Sequence, residues 1–154
     1  MTHAIFQNFF PRLELYESRL GLARDRPTIA GSFSRFCACR TTGVPKNILL
    51  AIAKTETGRS IGGAVQPWPW AINIRGKGEW FGSEAALLER ALEQISKGET
   101  SFDVGCFQLN YRWHGEAFAN LDAMIAPKSN ALYAARFLKS LHKEFADWNA
   151  AVGA

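Results

Sequence analysis

The period of the hydrophobic pattern changes along the chain, and this change constrains the fold more than any other feature. Apolar residues recur at helical spacing in 45–58, in 83–98 and after Pro127, whereas in 70–75 they alternate at strand spacing. The pattern therefore predicts an α+β domain that is mainly α, with one small β-hairpin insertion. At 154 residues the chain has the length of one domain and can bury a core.

The helix predicted over 45–58 carries a carboxylate on its apolar face. Its positions i, i+3, i+4 and i+7 share one face, and they hold Leu49, Ile52, Ala53 and Glu56. Pro45 suits the first helical position and Gly58 suits a left-handed exit. Burial among alkyl chains raises the pKa of a carboxyl group, and proteins use this effect to keep a general acid protonated near neutral pH. A Glu that points to water, or pairs with Arg59, is about equally consistent with the pattern.

The strand-spaced segment predicts the hairpin. Its first strand is expected to begin at Trp70, the turn is expected at Gly76-Lys77-Gly78, and residues 79–81 are expected to return as the second strand. The preceding residues 59–69 are expected to be irregular, because they contain Gly62-Gly63 and two prolines.

Two further helices are expected on either side of a polar loop. Ser83 suits the N-cap of the first and Gly98 its end, and its buried stripe is expected to contain Leu87, Leu88, Ala91, Leu92 and Ile95. The second follows Pro127, and its buried face is expected to contain Ala131, Ala134, Ala135, Leu138, Leu141 and Phe145.

Charge and composition exclude some classes of protein. The net charge is +4 and comes from scattered Lys and Arg, so an anionic polymer is a better candidate partner than nucleic acid. The longest tight apolar run, 48–53, is too short to cross a bilayer, and we expect no transmembrane segment. The first eleven residues show neither a basic nor a sustained apolar region, so no export signal is expected in this chain.

The three cysteines leave the compartment open. Cys37 and Cys39 lack the spacing of a structural zinc site, and no pair of histidines lies near them. One disulfide from either of them to Cys106 is one possibility, and three free thiols is the other. We expect neither a metal nor an organic cofactor.

Several polar and aromatic residues are candidate ligand contacts. Gln108 and Asn110 flank Leu109, so in extended geometry both amides would face the same way and could bind a polar ligand, although loop capping is the alternative. Trp70 belongs to a tryptophan cluster that could line a cleft for sugar rings or simply fill a core. His114 could donate a hydrogen bond to a ligand or be a satisfied loop histidine.

A second catalytic carboxylate cannot be assigned from spacing. Hydrolysis of a glycosidic bond normally uses two carboxyl groups. Asp103 is the best-placed candidate, Glu79 and Glu99 are alternatives, and no spacing pairs any of them with Glu56. A mechanism that needs a single carboxylate therefore fits the chain more economically.

Three motifs in order resemble the SLT-type lytic transglycosylases, over about three quarters of the chain. They are Ala51-Ile-Ala-Lys-Thr-Glu-Thr-Gly, Asp103-Val-Gly-Cys-Phe-Gln-Leu-Asn and Asn130-Ala-Leu-Tyr-Ala-Ala-Arg-Phe-Leu. The resemblance implies a lysozyme-like fold over 37–154, preceded by a segment 1–36 of unclear role. It also implies cleavage of bacterial peptidoglycan between N-acetylmuramic acid and N-acetylglucosamine, with release of a 1,6-anhydro product.

The resemblance also implies roles for individual residues. Glu56 corresponds to the single catalytic acid and base, and Gln108 to a glutamine that hydrogen-bonds the glycan, with Asn110 beside it in the cleft wall. We expect Trp70, Asn73 and His114 to contribute further substrate contacts. The expected partners are glycan strands in the periplasm or cell envelope, with a secretion system or flagellum as a candidate assembly.

Two alternatives accompany this interpretation. The chain ends at Ala154, just before the position where the family carries a tyrosine-bearing segment, so we expect the domain to be truncated at its C-terminus. A non-catalytic module that binds peptidoglycan or serves in assembly is therefore one alternative. The other is a hydrolytic lysozyme.

Overall fold

The computed structural model describes residues 42–153, of which about 56% are in helices and about 17% in strands. The prediction of a mixed, mainly helical domain is confirmed at this level. The segment 1–36, Cys37 and Cys39 lie outside the described residues.

Helix α1 (Lys46–Thr57) has the predicted apolar face but not the predicted ends. Pro45 is the N-cap rather than the first helical residue. The left-handed exit predicted at Gly58 is wrong, because Gly58 has φ −55° and ψ 125°. Glycine is needed there for space instead, since a Cβ would lie 2.1 Å from the Lys54 carbonyl oxygen and 2.7 Å from Val65 Cγ1.

The expectation of irregular chain over 59–69 is wrong in part. Strands β1 (Arg59–Ile61) and β2 (Ala64–Gln66) pair antiparallel in a two-stranded hairpin. Gly62 and Gly63 form its turn with φ of 59° and 81°, a pair of left-handed residues that glycine adopts without strain.

The predicted hairpin is part of a larger sheet. Strands β3 (Ala71–Ile74), β4 (Lys77–Trp80), β5 (Phe102–Val104) and β6 (Leu109–Asn110) form an antiparallel sheet in the order β4-β3-β5-β6. The turn predicted at Gly76-Lys77-Gly78 lies one residue earlier. Arg75 and Gly76 both have positive φ, which gives the two-residue turn that favours a twisted hairpin.

Alternation along these strands gives the sheet two different sides. Paired residues in antiparallel strands project to the same side, so the register assigns every side chain to one of them. One side is apolar and contains Ile72, Phe102, Val104 and Leu109, which are all buried. We call the other side the polar face, and it contains Asn73, Gly78, Trp80, Asp103 and Asn110.

Helix α2 (Glu84–Ser96) begins and ends as predicted. The Ser83 side chain accepts a hydrogen bond from the Ala86 amide, and Gly98 has φ 75°. Of the predicted stripe, Leu87 and Ala91 are buried and Leu88 and Ile95 are partly buried against the core, and Gln94 is buried in addition. Leu92 is 50% exposed, since it lies past the edge of that stripe.

The C-terminal half is helical and closes the core. Its elements are α3 (Tyr111–His114), a 3-10 turn (Gly115–Ala117), α4 (Leu121–Ile125), α5 (Pro127–Phe145) and α6 (Trp148–Gly153). Four of the six residues predicted for the buried face of α5 are buried, Leu141 is partly buried, and Phe145 is 38% exposed. Helix α6, which the periodicity did not reveal, packs against α5 and buries Ala151 and Val152.

Over residues 42–153, none of the helices has the length and apolar character needed to cross a bilayer.

Candidate active site

Glu56 lies in the last turn of α1, half-buried at the edge of the core. The helix turns it to the same face as Leu49, Ile52 and Ala53, each of which is at most 2% exposed. The pKa of Glu56 rises from its ordinary value of 4.5 to about 7, first because burial penalises the charged form and second because the Asp103 carboxylate is nearby. The carboxyl group can therefore be both protonated and ionised near neutral pH.

The neighbour of Glu56 belongs to a polar row across three strands. In the register of the sheet Asn73 is opposite Asp103, and Asp103 is opposite Asn110. Asn110 Nδ2 donates to Asp103 Oδ1 at 2.8 Å, which orients the carboxylate. Burial raises the pKa of Asp103, and the hydrogen bond from Asn110 opposes that rise.

The other two carboxylates considered as partners of Glu56 are engaged elsewhere. Glu79 projects from the opposite side of the sheet and forms a two-point ion pair with Arg90 of α2, with N–O distances of 2.8 and 2.9 Å. Glu99 pairs with Arg75 and accepts a hydrogen bond from the Ser101 amide. Of the three candidates, Asp103 is the one that acts electrostatically on Glu56.

Thr57 joins α1 to the segments around the site. It is 1% exposed, and its hydroxyl donates to the Ala53 carbonyl at 3.0 Å while accepting from the Trp68 amide at 3.1 Å. The Cys106 carbonyl lies 3.4 Å from the same oxygen. One buried hydroxyl thus fixes the position of the residue that directly follows Glu56.

Asn130 of α5 holds the turn between β5 and β6. It is fully buried, and its Nδ2 donates to the Val104 and Met124 carbonyls at 3.1 and 3.0 Å. Its Oδ1 accepts from the Phe107 amide at 3.1 Å. Gly105 has φ 80°, and a Cβ there would lie 2.4 Å from Asn130 Nδ2. Both the left-handed backbone and the close contact therefore require glycine at this position.

Gln108 and Asn110 do not project together as expected. Gln108 is in the turn with φ 46°, so the extended geometry assumed for it is wrong. Its Nε2 donates to the Gly105 carbonyl at 2.8 Å, which supports the turn. Asn110 uses both ends of its amide, because its Oδ1 also caps α3 by accepting from the Arg112 amide at 3.1 Å.

Trp70 and His114 lie among core side chains rather than on the polar face. Trp70 is half-buried, packs edge-on against Trp68 with ring centroids 6.0 Å apart, and contacts the hydrophobic core. His114 is 5% exposed, its Nδ1 lies 2.7 Å from the Tyr133 hydroxyl, and burial lowers its pKa. The structure therefore brings Glu56, Asn73 and Asn110 to one region but not Trp70 or His114.

Cys106 is a free, buried thiol. Burial raises its pKa to about 12, so it carries no thiolate at neutral pH. The disulfide considered between Cys106 and Cys37 or Cys39 involves residues outside the described range. In the described part of the chain, no group of three or more His, Cys, Asp and Glu side chains is arranged to hold a metal ion.

The groups at this site have a definite chemical capacity. An acid with a pKa of about 7 can donate a proton and then accept one at neutral pH, and an adjacent carboxylate can orient water or stabilise a developing positive charge. Sequence reasoning missed Thr57 and could not select Asp103, because the selection depends on strand register.

No protein-family model, curated protein or solved structure matches this chain.

Proposed function

We propose that this chain is a peptidoglycan lytic transglycosylase with a lysozyme-like fold, in which Glu56 acts first as acid and then as base. One observation carries the proposal: Glu56 is half-buried, has a pKa of about 7 and lies beside the polar face of the sheet. The three ordered motifs support the same assignment. A structural ion pair would lower the pKa of a glutamate, whereas here the charged form is penalised.

The reaction begins with the protonated form of Glu56. It donates its proton to the glycosidic oxygen between N-acetylmuramic acid and N-acetylglucosamine as that bond breaks. The ionised carboxylate then removes the proton from the muramic acid C6 hydroxyl, and the C6 oxygen bonds to C1. Glu56 is again protonated, and the product is a 1,6-anhydro sugar formed without water.

The polar row supports this sequence electrostatically. A positive charge develops at the sugar ring as the glycosidic bond breaks, and the Asp103 carboxylate beside Glu56 can stabilise it. Asn110 keeps Asp103 oriented through its 2.8 Å hydrogen bond. Asp103 also contributes to the raised pKa of Glu56, which keeps the acid protonated until it is used.

The products of cell-wall digestion test the proposal. We expect mass spectrometry to detect anhydro-muropeptides, and we expect Glu56→Gln to abolish their release while the variant stays folded. Full activity of Glu56→Gln would contradict the catalytic assignment. Binding to walls without release of any soluble fragment would instead favour a non-catalytic module.

The position of Asp103 favours one second candidate, a hydrolytic lysozyme. In that mechanism Asp103 would activate water while Glu56 donates the proton, which is the two-carboxylate arrangement of glycosidases. Digestion in isotopically labelled water separates the two reactions, because hydrolysis places the label at the new reducing end and transglycosylation does not. Asp103→Asn should abolish a hydrolytic reaction.

The proposed substrate implies a location in the bacterial periplasm or cell envelope. Peptidoglycan carries carboxylate groups on its peptides and muramic acid, and the net charge of +4 favours association with such a polymer. A decrease of cell-wall binding with rising salt would support this contribution, and salt-independent binding would contradict it.

A further inference from the structure

Trp80 presents an exposed indole on the polar face. It is 46% exposed, although large aromatic side chains usually gain most from burial. Its Nε1 donates to the carbonyl of Thr57 in a long hydrogen bond of 3.4 Å. This contact anchors the ring at the residue that follows Glu56, while a large part of the side chain stays exposed.

The indole lies along strand β4 over Gly78. A Cβ at Gly78 would lie 3.3 Å from Trp80 Cη2 and 3.7 Å from both Cζ2 and Cζ3, so the bare backbone accommodates the ring. Strand β4 is also fixed on the opposite side of the sheet, because Glu79, which lies between Gly78 and Trp80, pairs with Arg90 there. The ring is therefore attached to a fixed strand and anchored at a second point.

Asn73 completes the surface beside this ring. It is directly opposite Gly78 in the register, so its side chain projects next to the far edge of the indole. Asn73 is half-buried, and its side-chain amide makes no hydrogen bond with any of residues 42–153. An amide with one acceptor and two donors is thus available beside a flat apolar surface.

We propose that Trp80 and Asn73 form a saccharide subsite next to Glu56. The indole stacks on the apolar face of a pyranose ring, and the Asn73 amide hydrogen-bonds an N-acetyl or hydroxyl group of the same sugar. The assignment rests on the proposed function and names the residues that would hold one sugar adjacent to the cleaved bond. Trp68 does not offer a comparable surface, because it is half-buried, its ring packs edge-on against Trp70 and the Arg59 guanidinium lies over it.

Binding measured without cleavage tests the subsite. In the Glu56→Gln background we would titrate glycan strands stripped of their peptides and follow affinity by calorimetry. Trp80→Ala should weaken binding by about tenfold, which corresponds to loss of one good aromatic contact. Trp80→Phe should lose less, and Asn73→Ala should weaken binding further when combined with Trp80→Phe.

Trp113→Ala is the matched control. Trp113 is also an exposed indole, at 64%, but it lies on α3 and contacts Arg112. Its removal should leave the affinity unchanged. Thermal melts of all variants separate loss of contact from loss of fold, and Trp80→Phe retains an aromatic ring if Trp80→Ala unfolds.

The outcomes for the subsite and for the function are distinct. If the wild-type protein releases anhydro sugars but Trp80→Ala and Asn73→Ala bind glycan as tightly as the parent, the subsite is wrong and the function stands. Equal losses in Trp80→Ala and Trp113→Ala would also overturn the subsite. If the parent binds no glycan and the wild type cleaves none, both proposals fail.

Discussion

The proton of Glu56 connects the pH dependence of activity to the environment of one side chain. Only the protonated form can donate to a glycosidic oxygen, so we expect the rate of glycan cleavage to fall as pH rises through about 7. The negative charge of Asp103 contributes to the raised pKa, and its removal should lower that pKa. Initial rates between pH 5 and pH 9 should show the alkaline limb of Asp103→Asn at lower pH than in the wild type. An unmoved limb would contradict the coupling.

The same residue should also make stability depend on pH. The folded-state pKa of Glu56 is about 7 against an ordinary value of 4.5, so the folded state binds the extra proton and loses stability as pH rises through this window. Above pH 7 the cost approaches about 3 kcal/mol. Glu56→Gln removes the cost, so urea unfolding should show the variant more stable than wild type at pH 8 and nearly equal at pH 4. Exposed Glu89→Gln is the control and should show no such difference.

The Thr57 hydroxyl connects helix α1 to the segment at Trp68 and to the turn at Cys106. Removal of this hydroxyl should therefore destabilise all three segments. Thr57→Val keeps the shape but leaves the partly buried Trp68 amide without its acceptor. We expect a loss of about 1–2 kcal/mol in unfolding free energy together with reduced cleavage, because the end of α1 carries Glu56. Thr57→Ser keeps the hydroxyl and should retain most of both. Equal behaviour of the two variants in chemical unfolding would show that the hydroxyl is dispensable.

Helix α5 supports the site through Asn130, although the site lies on other elements. Asn130→Leu fills a similar volume but removes the three hydrogen bonds that Asn130 makes with buried backbone groups. The expected cost is about 3 kcal/mol or more, seen as a lower melting temperature. Arg136→Ala, an exposed position on the same helix, should change it little. A wild-type melting temperature for Asn130→Leu would contradict the role of Asn130.

The elements that sequence predicted well are those whose periodicity extends over several turns. Helices α1, α2 and α5 each repeat an apolar face. The pattern predicts most of their buried residues, and it fails at edge positions such as Leu92 and Phe145. Strands β1 and β2 escaped prediction because each has three residues and little burial, so the Gly62-Gly63 turn was their main signal. Gly58 shows a further limit, since its close approach to Val65 depends on a contact across two elements.

At the scale of the whole molecule, the candidate site depends on how separate elements meet. The apolar face of α1 predicted Glu56 as a perturbed carboxylate, because burial of that face is a local property. Asp103 could not be selected in the same way, since its position beside Glu56 follows from the register of β3, β5 and β6. The exposure of Trp80 and the partial burial of Trp70 against the core likewise follow from the tertiary structure and not from the local pattern.

The hydrogen bonds of Asn130 have a consequence for the order of events during synthesis. The turn that carries Gln108 is closed by a residue more than twenty positions further along the chain, at the start of α5. A nascent chain that has produced Glu56 and Asp103 therefore still lacks the hydrogen bonds that hold the turn after Asp103. Under the proposed function, the region around Glu56 therefore gains its full set of supporting hydrogen bonds only once α5 has been synthesised, in keeping with the folding of domains as units.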